Sequence, residues 1–149
     1  MKIIQLYLRL ALGIGFLVPG LDRLGCWGPH GGAQISWGDW AHFQTYAREV
    51  MSFLPTGLAD KLAVVATAAE LTFGVLLVLG LWTRWAALGS GLLLLGFAIS
   101  MAVSFGIVSP LSYSVFTASA GAFLLSGVKV YPFSLDALLT KRAAPSSRR

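Results

Sequence analysis

Four long apolar stretches, at residues 3–21, 62–82, 85–107 and 111–128, constrain this chain more than any other feature. A bilayer core of about 30 Å takes roughly 20 apolar residues as α-helix, and each stretch is near that length. Gln5 and Arg9 interrupt the first and Glu70 the second. The third has no charge, and the fourth is rich in Ser, Ala and Gly. Of the 149 residues, 56% are hydrophobic and only 11% charged, against roughly 25% charged in a soluble domain. A chain this short cannot hide so much apolar surface inside itself. Lipid must cover part of it, which excludes a disordered chain, a coiled coil and an ordinary soluble enzyme. The expected fold class is an all-α membrane protein, a four-transmembrane-helix bundle forming a single membrane domain over residues 1–149.

Short connections at Thr83-Arg84 and Ser109-Pro110 make antiparallel hairpins of spans two to four. Lys and Arg counts set the orientation. Lys2, Arg84, Lys129, Lys141, Arg142, Arg148 and Arg149 fall on one side, and Arg23, Arg48 and Lys61 on the other. The excess predicts a multi-pass protein of the bacterial plasma (inner) membrane with both termini cytoplasmic. Span one lacks the basic start and cleavage site of a signal peptide. The net charge of +5 follows this topology and forms no aromatic-interleaved patch, so nucleic acid is not an expected partner.

The outer segment, residues 22–61, contains a helix at about 40–54. Asp39 suits its N-cap. Trp40, Phe43, Tyr46, Ala47, Val50 and Leu54 share one face, and Pro55 and Gly57 end it. Too short to span, it is expected to lie on the membrane surface or cap the bundle. In the tail, residues 129–149, Ser134 is a candidate cap for a short interfacial helix, Lys141 and Arg142 are placed to meet headgroups, and 145–149 are expected to be disordered.

Charges inside lipid cost at least about 2.5–3.5 kcal/mol near the bilayer centre, so Arg9 and Glu70 are the leading ligand-binding or proton-handling candidates. Arg9 shares a stripe with Gly13, Phe16 and Gly20. Glu70 shares one with Ala63, Ala66, Thr67 and Gly74. Depth along each stretch predicts that the two pair. Two readings of that pair stay open: a register-fixing ion pair, or a polar site in which Arg9 binds a carbonyl or anion and Glu70 takes a proton. Asp22, Arg23, Trp40 and Arg84 are secondary candidates. Gly89, Leu93, Gly96, Ser100 and Ser104 on span three, and Ser114, Ala118, Ala122 and Ser126 on span four, form small-residue faces suited to close packing. The span-four ladder is also a candidate homodimer face. Cys26, His30 and His42 match no metal-ligand spacing, so no metal site is assigned.

The chain resembles the DoxX family of small four-span membrane proteins. Span one carries Leu8-Arg9-Leu10-Ala11-Leu12-Gly13 and Gly20-Leu21-Asp22-Arg23-Leu24. Span two carries Ala69-Glu70-Leu71, Gly74 and Leu79-Gly80-Leu81-Trp82-Thr83-Arg84, and the tail carries Ser134-Leu135-Asp136. The resemblance covers residues 5–140. It implies a membrane subunit of a quinone-linked or thiol/sulfur redox system, with a quinone as the cofactor class and a redox partner protein supplying the chemistry. The catalytic residues themselves stay unassigned. A non-enzymatic scaffold and a small-solute carrier are the alternatives, the carrier lacking inverted repeats or broken helix pairs.

Overall fold

The computed structural model describes residues 1–143, with side chains through Thr140; residues 144–149, which include the stretch 145–149, and the side chains of Lys141 and Arg142 lie outside it. The described residues form helices joined by turns and loops, with no strand. The elements are α1 (Lys2–Asp22), α2 (Trp40–Val50), α3 (Thr56–Leu79), α4 (Thr83–Phe105), α5 (Val108–Ser112), α6 (Val115–Ser126) and α7 (Leu135–Ala143). Three of them, α1, α3 and α4, are long and apolar enough to cross a membrane, and α6 is a shorter apolar helix. Their outer faces are studded with exposed Ile, Val and Leu, as expected where lipid is the solvent.

Two helix pairs organise the bundle, α1 with α3 and α4 with α6. In the first, a Cβ added at Gly13 would meet Val78 at 2.8 Å and the Gly74 carbonyl at 3.0 Å. Only glycine permits so close an approach of two helices. In the second, the Ser119 hydroxyl donates to the Gly91 carbonyl at 2.8 Å. Leu12, Phe16, Leu77, Ala87, Ala122 and Leu125 fill the core between the pairs.

The fourth stretch is not one continuous helix. Ser114 sits at φ 55, in the left-handed region, between α5 and α6. Its face toward α4 is Ser119, Ala122 and Leu125, and Ala122 is fully buried there. The ladder of Ser114, Ala118, Ala122 and Ser126 is therefore partly spent inside the chain and is not a free dimer face. The stripe expected on span three holds in part: Gly89 lies against Phe73 of α3, Leu93 packs on the core and Ser104 reaches α2. Gly96 faces open space, and the buried face also takes in Ala87, Ser90, Gly91, Ala98 and Met101. Both helices are apolar all round, so periodicity carries little information about which side turns inward.

At one end of the bundle, called here the roof end, α2 lies across α3 and α4. Asp39 caps it by accepting from the His42 amide at 2.9 Å, and Phe43, Ala47 and Val50 are buried against the bundle. The helix stops at Val50, one turn before Leu54. Arg48 grips Asp60 of α3 through Nε and Nη2 at 2.7 and 2.8 Å, and the Ser104 hydroxyl of α4 donates to the Val50 carbonyl at 2.7 Å.

The opposite end, called the terminal end, carries the start of α1 and the helix α7. Gly80, at φ 68, closes α3: its amide and that of Leu81 both return to the Leu76 carbonyl, the left-handed stop that glycine favours. Trp82 follows at φ 47, a conformation few non-glycine residues adopt. Asp136 holds it, its carboxylate accepting from the Trp82 and Thr83 amides at 2.8 Å each. The Ser134 hydroxyl in turn caps α7 through the Ala137 amide at 3.1 Å. The segments Gly80-Leu81-Trp82-Thr83-Arg84 and Ser134-Leu135-Asp136 thus form one joint.

Candidate functional site

The candidate site assembles where α1 ends. Asp22 ends α1 and Arg23 is its C-cap, one turn after Pro19 interrupts the helix ladder, and neither side chain turns to water. Asp22 and Arg23 are each 4% exposed. Asp22 Oδ2 accepts from the Ser36 and Trp37 amides at 3.1 and 2.9 Å, which draws the loop before α2 down onto the bundle. The Arg23 Nε donates to the Pro19 carbonyl at 3.2 Å, so the guanidinium folds back along its own helix.

That fold-back aims Arg23 at α3. Thr67 and Glu70 share one face of α3 one turn apart. Arg23 Nη1 donates to Thr67 Oγ1 at 2.8 Å and lies 2.6 Å from Glu70 Oε2. The opposite side of the guanidinium is covered by rings, with its central carbon 3.8 Å from the Phe43 centroid and 5.1 Å from that of Trp37. A desolvated cation over aromatic faces gains about 2 kcal/mol or more. Trp40 backs Phe43 at 5.3 Å between centroids. Tyr46 flanks Trp37, and burial raises its hydroxyl above the ordinary tyrosine range while Arg23 acts in the opposite sense. One cation is thus held between a carboxylate below and an aromatic roof above.

In this cluster Asp22 Oδ1 is buried with no donor, and the buried Glu70 Oε2 has no partner but Arg23. Glu70 Oε2 is held by the charge of Arg23 alone. A buried acceptor without a donor is costly, and it is a place where a proton or a donor group of a ligand gains most.

Arg9 does not pair with Glu70. Its Nη2 donates to the Phe133 carbonyl at 2.7 Å, and its guanidinium packs beside Gly80 and Ser134 at the terminal end. Contacts of Gly13 with Gly74, Gly20 with Leu71 and Arg9 with Gly80 fix the antiparallel register. That register puts Glu70 level with the last turn of α1. Arg23 is then about 6 Å away along the axis and Arg9 about 15 Å, at 1.5 Å per residue. Depth counted from the ends of the apolar stretches misjudged this, because those ends are not level: Arg9, two turns into α1, already meets Gly80 at the end of α3.

Of the sequence candidates, Asp22, Arg23, Glu70 and Trp40 come together at the roof end, whereas Arg9 and Arg84 lie at the other. Thr67, Phe43 and Trp37 complete the cluster. The signal for Thr67 was its place one turn before Glu70; Phe43 carried only the amphipathic face of α2, and Trp37, ahead of that helix, only the character of an interfacial aromatic. His30 and His42 stack at 3.6 Å in the roof loop, and Cys26 is exposed.

A small multi-pass bundle that buries an arginine–glutamate pair beneath a surface helix defines a class of membrane protein, not a soluble enzyme with an open cleft. The DoxX family model matches residues 4–108, and the chain belongs to the DoxX family. The matched region contains Arg9, Asp22, Arg23, Glu70 and the Gly80–Arg84 turn; Ser134-Leu135-Asp136 lies beyond it. No curated protein and no solved structure matches the chain.

Proposed function

We propose that this DoxX protein is the membrane subunit of a quinone-linked or thiol/sulfur redox system, and that its polar intramembrane site is the Arg23–Glu70 cluster. The observation that carries this reading is a buried carboxylate oxygen with no donor, Asp22 Oδ1, next to Glu70 Oε2, whose one partner is the ring-covered Arg23. The residues suit a flat carbonyl compound. Arg23 would donate to a carbonyl oxygen and stabilise negative charge there, Glu70 would hold a proton, and Phe43 and Trp37 would face a ring. A bound quinone would supply the electron-accepting chemistry; electrons would come from a redox partner protein. On the distribution of Lys and Arg we place the protein in the bacterial inner membrane, termini inward.

A second reading has its own support. Arg23 and Glu70 are each only 4% exposed, and α2 is tied down by Arg48–Asp60 and Ser104–Val50. Such closure fits a scaffold in which the ion pair staples the roof to the bundle. The two readings separate on purification in mild detergent, followed by extraction and mass spectrometry of bound small molecules. Wild type should carry a stoichiometric quinone or similar carbonyl compound, and Glu70→Gln and Arg23→Gln, once shown to be folded, should lose it. An empty wild type that is destabilised by either change would establish the scaffold instead.

A further inference from the structure

At the terminal end, away from the roof cluster, a cleft of about 570 Å³ opens between the start of α4 and the connection from α6 to α7. Arg84 and Lys129 both line it. Neither belongs to an ion pair among the described residues. Asp136 is the carboxylate in the cleft, and both its oxygens are spent on the Trp82 and Thr83 amides. Its charge therefore serves the α4 terminus. Thr83, also in the lining, has a buried hydroxyl with no partner. Trp82 and Trp85 flank the opening, each 68% exposed, where an interfacial aromatic belt belongs. Val128 lines this cleft and also a second, apolar groove of about 140 Å³, formed with Leu8 and Leu124 between α1 and α6.

A cationic cleft at headgroup depth that adjoins an apolar groove matches an amphiphilic anion. We propose that the cleft binds the phosphate of an anionic phospholipid from the leaflet at the terminal end, with an acyl chain in the neighbouring groove. Arg84 and Lys129 contact the phosphate, and the tryptophans flank the glycerol region. A free phosphate would satisfy the same two cations but leave the groove unused. The inference is independent of the redox reading, since none of its residues belongs to the roof cluster.

The test titrates the purified full chain in detergent with phosphatidylglycerol and, separately, phosphatidylcholine, and counts adducts by native mass spectrometry. Inorganic phosphate is added as a competitor. Phosphatidylglycerol should be retained preferentially and resist displacement by phosphate. At about 1 kcal/mol per basic side chain, Arg84→Gln with Lys129→Gln should weaken retention about 25-fold. Arg84→Lys with Lys129→Arg should retain it, which separates lost charge from a disturbed fold. Equal retention of both lipids, or retention unchanged in the double Gln variant, would overturn the proposal. Displacement of the lipid by inorganic phosphate would assign the cleft to free anions and overturn the lipid source.

Discussion

Arg23 shows how one side chain can be both expensive and necessary. Buried at 4% exposure, it is stabilised from three directions: Glu70, Thr67 and the Phe43 ring. Removing either member of such a pair strands the other charge, a loss of about 3–5 kcal/mol, whereas removing both can be nearly neutral. Arg23→Gln and Glu70→Gln should each lower thermal stability in detergent by that order. The double variant should recover most of it, a non-additivity that reports direct coupling. Additive losses would mean that the two do not act as a pair. The same cycle with Arg9→Gln in place of Arg23→Gln should be additive, since Arg9 lies about 15 Å from Glu70 along the bundle axis. Sequence alone marked Glu70 as needing a cation but pointed to Arg9, whereas Arg23 supplies it. Span lengths fix each residue's depth only to within a turn or two, and the decisive contacts are Gly13 on Gly74 and Gly20 on Leu71.

Among the elements, α2 was the most legible and α6 the least. Asp39, a face of Trp40, Phe43, Ala47 and Val50, and a terminating Pro55 specify a short amphipathic helix from local signals alone. The break at Ser114 has no such signal: a left-handed serine within an apolar run is imposed by packing. The cap of α2 also titrates. The His42 amide, then its ring, hold the Asp39 carboxyl below the ordinary aspartate value. A carboxylate depressed in the folded state contributes stability above its unfolded value of about 3.9 and loses that contribution as pH falls through the folded value. The start of α2 should therefore loosen in acid. The fluorescence of Trp37 and Trp40, which bracket the cap, should change as pH is lowered from about 5 to 3. Asp39→Asn, which keeps an oxygen acceptor, should lack that component. An identical acid transition in the Asn variant would place the sensitive group elsewhere.

For the molecule as a whole, the question is which way the bundle faces. The start of α1, the turn from α3 to α4 and the end of α6 all meet at the terminal end, so the start of α1 and the helix α7 share one side. Lys and Arg close to the spans, whatever acidic residues neighbour them, are what hold a segment in the cytoplasm. Lys2, Arg84 and Lys129 lie at the terminal end, which makes that end the expected cytoplasmic one. The exposed Cys26, the sole cysteine of the chain, lies in the roof loop and reports the answer directly. A membrane-impermeant maleimide applied to intact spheroplasts should label wild type. Cys26→Ser combined with Thr140→Cys moves the probe to α7 at the terminal end. That variant should stay unlabelled until the membrane is permeabilised. The reverse pattern would invert the bundle, put the Arg23–Glu70 roof on the cytoplasmic side, and require any redox partner to dock from there.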